Sequence, residues 1–584
     1  MKKESKNVLI NIVIFVTVLL ATSWTAFFLD YHYPIFIIIF SAAVYYLYRQ
    51  IFVNKTLKPN WKILIFTFLF SIAFIMGKQV NYVYIRSSMQ ENYITLDIKA
   101  CLSIFTFCAI IFPIFNKLTD FILSIKTSDE KKEKIIKDLP FFFIAWLTII
   151  ICWMPYLLSF YPGAIVGDGA KTLKFALTPE WQLSNHWIVL YILVLRFFFW
   201  LGRFFNEDIN FGVFLYVCTE YLVFSCVCAF VAYKLRKKGA PVMLQWGTVL
   251  MYAISGFFAS YGITLWKDGI FSAAVILLIL LLWDMPLNKK LSVGYCVKFG
   301  LIGLFLCFWR NNGIYVVAFT AIFVLIIIRK QALRLLIPSI IVIVCTLVIQ
   351  GPVYDALNIK KDNIVESLSV PIQQVAAVIG EGRELKDSQK EILFNIISEE
   401  DWKNAYTPTL SDDLKNASDR EYLTEHAKDF LVVWAQLLIP NFKIYVKAYM
   451  MLTLGYWQPG VYHGSYLDYW LGIQDFFEDG YVNTDLLYKI TGRSFQEELT
   501  SIVKFVPSGT AIWFMWYAFT VILSQKEKRK KKMLIFLPLI ASWIVVMIAT
   551  PIAYSYRYVL MIPMAIPIMC YLPFCKEEES AGSQ

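Results

Sequence analysis

Long apolar runs recur from one end of this chain to the other, and each must be buried against protein or lipid. They lie at about 8–29, 34–50, 63–77, 98–116 and 140–160, and then at about 210–232, 242–260, 266–285, 292–309, 313–328, 332–350, 508–524, 533–550 and 556–573. At 1.5 Å rise per residue, runs of about 20 residues match the ~30 Å hydrocarbon core of a bilayer. A soluble domain has no interior large enough to hide so many. The composition agrees: 58% of the 584 residues are hydrophobic, with 48 Phe, 34 Tyr and 18 Trp. The pattern predicts an all-α polytopic membrane protein with about 14 transmembrane helices. The first run has no small-residue cleavage site after a short apolar core, so it reads as a retained span and not as a signal peptide.

The net charge of +11 does not point to nucleic acid, because the Lys and Arg residues fall between the runs, where they set orientation. Lys2, Lys3 and Lys6 place the N-terminus in the cytoplasm. The basic groups at Arg49–Lys62, Lys126–Lys134, Lys234–Lys238, Lys289–Lys290, Arg329–Arg334, Lys526–Lys532 and Lys576 all suit the inside, including the C-terminus. That parity holds only if the apolar run 187–205 does not cross. It carries Arg196 and Arg203 among Trp and Phe, which suits a helix lying in the outer interface. The alternative is a crossing helix with one basic loop on the wrong side.

Five segments follow. Residues 1–125 form an N-terminal four-helix membrane unit, and 126–139 a charged cytoplasmic linker. Residues 140–350 are the membrane core, with an outer loop at 160–209. The polar stretch 351–506 is an extracytoplasmic α-rich domain, and 507–584 holds the last spans and a cytoplasmic tail. No Cys lies between Gly351 and Pro507, so the outer domain has no disulfide framework. No CxxC pair or His/Cys cluster suggests a zinc or redox site.

With this orientation, the unusual polar residues gather on one side. Pro162 and Gly163 break the run that ends near Phe160, and Asp168 follows between Gly167 and Gly169, where the backbone can approach a ligand closely. Asn185 and His186 come later in the same loop. Lys267 and Asp268 open a span, Arg310, Asn311 and Asn312 lie at a turn, and Arg557 and Tyr558 open the last span. Three cations at outer membrane ends run against the positive-inside trend, and cations at that depth need anionic partners. The phosphate of a lipid headgroup would serve, since Arg binds it bidentately. Glu220, within the run 210–232, is a further unusual acid with no evident role.

This arrangement resembles the GT-C superfamily of membrane glycosyltransferases. The residues that carry the likeness are Tyr161-Pro162-Gly163 with Asp168, then Asn185-His186 and the run 187–205. More closely, residues from about Pro140 to the C-terminus resemble an uncharacterised family of bacterial GT-C-like membrane proteins. The further pieces are Lys267-Asp268, Arg310-Asn311-Asn312-Gly313, Ser369-Val370-Pro371-Ile372-Gln373-Gln374, Gly455-Tyr456-Trp457-Gln458-Pro459 and Tyr556-Arg557-Tyr558. The family pattern has His-His-Pro where this chain has His186-Trp187-Ile188. Many GT-C enzymes pair the loop Asp with a second acid. Here Asp168 has no adjacent acid and Asp268 is the obvious second one near the membrane, so the need for a divalent metal stays open.

The resemblance implies transfer of a sugar from a polyprenyl-phosphate lipid to a cell-envelope glycan, lipid or protein at the outer face of the cell membrane. Asp168 would act as the catalytic base. Lys267, Arg310, Arg557 and Tyr558 would hold the lipid phosphate. Asn185, His186, Asp268, Asn311, Asn312, Gln373 and Gln374 are the other candidate site residues, and Tyr456 and Trp457 would offer faces on which a sugar can stack. A rival class is a transporter or flippase for an anionic or lipid-linked envelope precursor, in which the same cations form an entry site. Another is a non-enzymatic scaffold that binds envelope glycan. Transport would call for ionisable residues midway through the spans, which are nearly free of them apart from Glu220, and this favours surface chemistry over transit.

Overall fold

The computed structural model describes residues 2–80, 94–95, 97–125, 136–165, 168–177, 183–206, 209–286, 290–328, 333–459, 484–503, 509–525, 529–549, 552–553 and 555–575. The greater part of the linker 126–139 therefore lies outside the described residues. Among those described, the chain is helical, with isolated β-bridges and no strand. Eight helices are long and apolar enough to cross a membrane, or up to ten if each of two bent pairs is one span.

The N-terminal unit is α1 (Lys2–Phe28), α2 (Pro34–Phe52), α3 (Trp61–Lys78) and α4 (Ile98–Ser124). Only 17% of the most apolar window of α1, and the same share of α2, is buried inside the molecule. Leu9, Ile12, Ile35 and Ile38 point outward. Apolar faces of that extent are stable in hydrocarbon and not in water. By contrast α3 and α4 interlock through aromatic rings, with Phe74 and Phe107 stacked at 4.6 Å.

The central bundle comprises α5 (Asp138–Ser159), α6 (Asp168–Leu177), α7 (Val189–Asn206), α8 (Ile209–Lys237), α9 (Val242–Ile254), α10 (Gly256–Ile263), α11 (Lys267–Trp283), α12 (Val293–Trp309), α13 (Gly313–Ile328) and α14 (Leu333–Val348). A break at Ser255 bends α9 and α10 by 58°. Fully buried Trp153 fixes α5 to α9 by donating to the Tyr252 carbonyl at 2.9 Å. One end of the bundle is tied by charge. Asp138 pairs with Arg236 and Lys237 at 2.9 Å each, and Asp284 pairs with Lys234 and with Lys238, the latter at 2.9 Å. Helix direction then puts Ser159 and Lys267 at the opposite end.

The last apolar run was expected to be one continuous span over 556–573. It is instead a chain of short turns: Tyr556–Val559, Met561–Met564, Ile566–Tyr571 and Leu572–Phe574. Pro563, Pro567 and Pro573 each lack the N–H that would continue an α-helix. The polar region forms a compact helical unit with its own core around Ser369–Gly380, where Ile372, Val375, Trp402, Leu414 and Phe430 are fully buried. Its loop Thr407–Leu410 reaches back to the membrane half: Leu410 bridges Ile552, and the Ala553 N–H donates to the Thr409 carbonyl at 2.9 Å.

Candidate functional site

Local geometry at two glycines explains how α6 meets α11. The Tyr161–Pro162 bond is cis, and Gly163 has φ +148°, a conformation L side chains rarely adopt. A Cβ there would lie 2.6 Å from Val217 Cγ2. The chain then forms a parallel bridge in which the Ala164 N–H donates to Ile263 O at 2.9 Å and the Leu265 N–H to Ala164 O at 2.8 Å. Gly169 completes the approach, since a Cβ would stand 2.5 Å from Leu265 O. The flanking glycine was read from sequence as room for a ligand. Gly169 instead makes room for the backbone that leads into Lys267. The two helix N-termini, with Asp168 on one and Lys267-Asp268 on the other, thereby come together.

Arg557 closes the cluster. Its Nη2 lies 2.6 Å from Asp168 Oδ2 and donates to the Tyr558 hydroxyl at 2.8 Å, and its Nε donates to Ser555 Oγ at 3.1 Å. The guanidinium also lies over the Trp266 ring at 5.0 Å. Arg310 pairs with Asp268, whose side chain is 2% exposed. The Tyr558 ring joins the two pairs: the Arg310 and Arg557 guanidinium carbons stand 4.9 and 4.8 Å from its centroid. Trp309 Nε1 donates to the Lys267 carbonyl at 2.7 Å and sets the turn that presents Arg310. Gly313 permits that turn, because a Cβ would fall 2.0 Å from Leu306 O.

The cluster thus joins Asp168, Lys267, Asp268, Arg310, Arg557 and Tyr558. Three cations face two carboxylates, which leaves one positive charge over. The Lys267 ammonium, at α11's first position, has no hydrogen bond or ion-pair contact with a described residue, and Asp268 and Asp168 act on it through space. Arg557 beside it, helped by Lys267 and Lys171, holds the Asp168 carboxyl well below the usual carboxylate range, against the opposing effect of burial. The Asp168 side chain is 45% exposed, so solvent screens this pair far more than the Asp268–Arg310 pair. A small crevice opens beside Arg310 and Tyr558, lined by Phe271, Val316, Val545 and Val546 together with Asn312 and Ser542.

The second acid does not fit a metal. Both carboxylates are taken up by guanidinium groups, and among the described residues no three His, Cys, Asp or Glu side chains converge as ligands.

The remaining predicted residues fall into four groups. Asn185, His186 and Asn311 form a neighbouring polar knot. His186 Nδ1 lies 2.9 Å from Asp362 Oδ1, the Asn185 N–H donates to Lys360 O at 2.8 Å, and Asn311 Nδ2 donates to Asn185 O at 3.2 Å. Asn312 lines the crevice beside Arg310. Gln373 and Gln374 are buried in the polar helical unit. Gln373 Nε2 donates to the Thr407 and Leu410 carbonyls at 2.7 Å, and Gln374 Nε2 donates to Tyr445 O at 3.1 Å, so they shape that unit rather than line the cluster.

Tyr456 and Trp457 require a correction. Tyr456 is fully buried and its hydroxyl accepts the Ser555 N–H at 3.2 Å, while Trp457 is 9% exposed with its Nε1 donating to Met450 O at 3.0 Å. Neither ring has a free face for a sugar. Tyr456 clamps the loop that carries Arg557. Trp266, Ser555 and Asp362 were missed as partners. Trp266 had a signal, an aromatic directly before Lys267, while Ser555 and Asp362 had none.

An all-helical protein with helices able to span a bilayer and a cationic cluster at one end is the class these features define. A family model described as "Family of unknown function (DUF6020)" matches residues 177–584. The chain belongs to that family. The match includes Lys267, Arg310 and Arg557 and begins after Asp168. No curated protein and no solved structure matches the chain.

Proposed function

We propose that this protein is a GT-C-type membrane glycosyltransferase. It crosses the cell membrane about 14 times with both termini in the cytoplasm. It moves a sugar from a polyprenyl-phosphate donor to a cell-envelope glycan, lipid or protein on the outer face. The observation that carries this reading is the meeting of Asp168, Lys267, Arg310 and Arg557 around Tyr558, with surplus positive charge and a small crevice alongside. A lipid phosphate suits both halves: its charge answers the cations, and its chain follows Val316, Val545 and Val546.

In this reading the acceptor hydroxyl attacks the anomeric carbon, a new C–O bond forms, and the bond to the phosphate oxygen breaks. Its electron pair leaves with the lipid phosphate, and Lys267, Arg310 and Arg557 stabilise the charge that develops there. Asp168 takes the hydroxyl proton. Single displacement with inversion follows, because Asp268 is buried against Arg310 and cannot serve as a nucleophile. The Asp168–Arg557 contact adds a condition. Paired with a guanidinium, Asp168 is a weak base; a phosphate that takes over Arg557 frees it.

Lys267→Ala, Arg310→Ala and Arg557→Ala, assayed in membrane vesicles, test the proposal. Each should weaken polyprenyl-phosphate binding and lower sugar transfer together. Normal transfer with lost movement of lipid across the bilayer would assign the cluster to transport instead.

A further inference from the structure

Glu220 lies inside α8, with 1% of its surface exposed, and neither carboxyl oxygen has a hydrogen-bond partner among the described residues. Its carboxyl points at α11. A Cβ on Gly269 would stand 2.8 Å from Glu220 Oε1 and 3.4 Å from the Tyr261 carbonyl oxygen, so Gly269 leaves the space that the carboxyl occupies. Other buried oxygens border the same space. Tyr216, one turn earlier on α8, places its hydroxyl beside the carboxyl, and Tyr191 of α7 packs edge-on against Tyr216 at 5.8 Å. The hydroxyls of Tyr191, Tyr216 and Ser272 are all buried without a hydrogen-bond partner. Ser272 sits one turn along α11 from Gly269, on the same face.

Carboxyl oxygens, two tyrosine hydroxyls and a backbone carbonyl around one space, with the Ser272 hydroxyl one turn away and no cation of the protein among them, are a donor set for a small positive charge. We propose that Glu220, with Tyr216, Tyr191, Ser272 and the Tyr261 carbonyl, binds one small monovalent cation, either a proton on the carboxyl or a sodium ion. This site is separate from the phosphate reading and stands whether or not the protein transfers sugar. It does bear on the cluster above it. Asp268 immediately precedes Gly269, and an uncompensated Glu220 would repel its carboxylate and loosen the Asp268–Arg310 pair. Occupancy by a cation removes that repulsion.

The test is thermal unfolding of the full-length protein in nanodiscs. One arm replaces choline chloride by sodium chloride at constant ionic strength and pH. The other varies pH from about 5 to 9 without sodium, a range that spans the ordinary His value. The ionisable groups that face Glu220 are Tyr216 on its own helix, Tyr191 from α7 and Asp268 from α11. Tyr261 of α10 offers only its carbonyl. Glu220→Gln leaves all of them in place and serves as the reference. If the occupant is sodium, wild type gains a few degrees with sodium and E220Q does not. If it is a proton, wild type loses stability as pH rises and E220Q loses less, because the folded state then holds the extra proton. Tyr216→Phe, which keeps the ring, should shift either response toward higher ligand concentration by about tenfold, as is usual for loss of one supporting ligand. Equal sodium and pH responses in wild type and E220Q would overturn the proposal. Should E220Q fail to fold, a Y216F response identical to wild type would do the same.

Discussion

Asp168 and Arg557, 389 residues apart in the chain, meet at 2.6 Å. Each is held there by contacts of the loop that precedes it. Asp168 follows the bridge between Ala164 and Thr264, and Arg557 follows a loop that Tyr456 and Thr409 hold in place. The pair marks where the start of α6, the start of α11 and the last apolar run converge.

Arg557 supplies both a charge and a planar fork of donors. Arg557→Lys keeps the charge but loses the fork that reaches Asp168, Tyr558 and Ser555 at once. Donor affinity should fall about tenfold or more in R557K, as expected for a lost bidentate phosphate contact. Equilibrium binding of a short polyprenyl phosphate measures this. Affinity equal to wild type would remove Arg557 from the phosphate site.

The pH dependence of the same pair has a definite sign. Arg557 depresses the Asp168 carboxyl, so its stabilising contribution is present at neutral pH and is lost as pH falls through the lowered value. The difference in unfolding midpoint between wild type and Asp168→Asn should stay level from neutral pH down to the ordinary carboxylate value near ~4, and narrow only in stronger acid. High salt should shrink it, because the Asp168 side chain is 45% exposed.

The second pair behaves differently because it is buried. Asp268→Ala strands Arg310 without its counter-ion and should cost about 3–5 kcal/mol in stability. The double variant D268A/R310A should cost less than the sum of the two single changes. Chemical unfolding of the four proteins gives the coupling. Additive losses would mean that the two side chains do not depend on each other.

Gly169→Ala tests how the site is assembled. The added methyl would meet Leu265 O at 2.5 Å, so α6 must shift and carry Asp168 away from Arg557. A loss of about 1–3 kcal/mol is expected for overpacking of this kind. Transfer activity should fall more than stability does, since displacement of about 1 Å at a reacting group is enough to lower rate.

Tyr558→Phe keeps the ring between the two guanidinium groups and removes the hydroxyl that accepts from Arg557. The expected loss in donor binding is about 1 kcal/mol, the net value of one hydrogen bond. Tyr558→Ala should cost more, because both cation–π contacts go with it.

Some of this was readable from residue order and some was not. Charge set against an apolar background picked out Lys267, Arg310 and Arg557, since such positions are costly unless they have partners. The break at Pro162-Gly163 marked the loop of Asp168. Pairing was not readable: which carboxylate meets which guanidinium depends on contacts between distant segments, and helical periodicity does not encode them. Tyr456 and Trp457 show the same limit. Their sequence neighbours look like an exposed aromatic pair, yet Tyr456 is buried against the Arg557 loop and Trp457 packs with Ala73, Ile75 and Met451. The last run failed for a local reason that was visible, three prolines that no continuous α-helix accommodates.

The most direct measurement combines two readouts on Asp168→Asn in purified membranes: polyprenyl-phosphate binding, and sugar transfer from the corresponding lipid donor. The account predicts that D168N keeps or tightens phosphate binding, because Arg557 is released from its carboxylate partner, while transfer falls by at least about a hundredfold, the usual worth of a positioned general base. Transfer by D168N at the wild-type rate would contradict it.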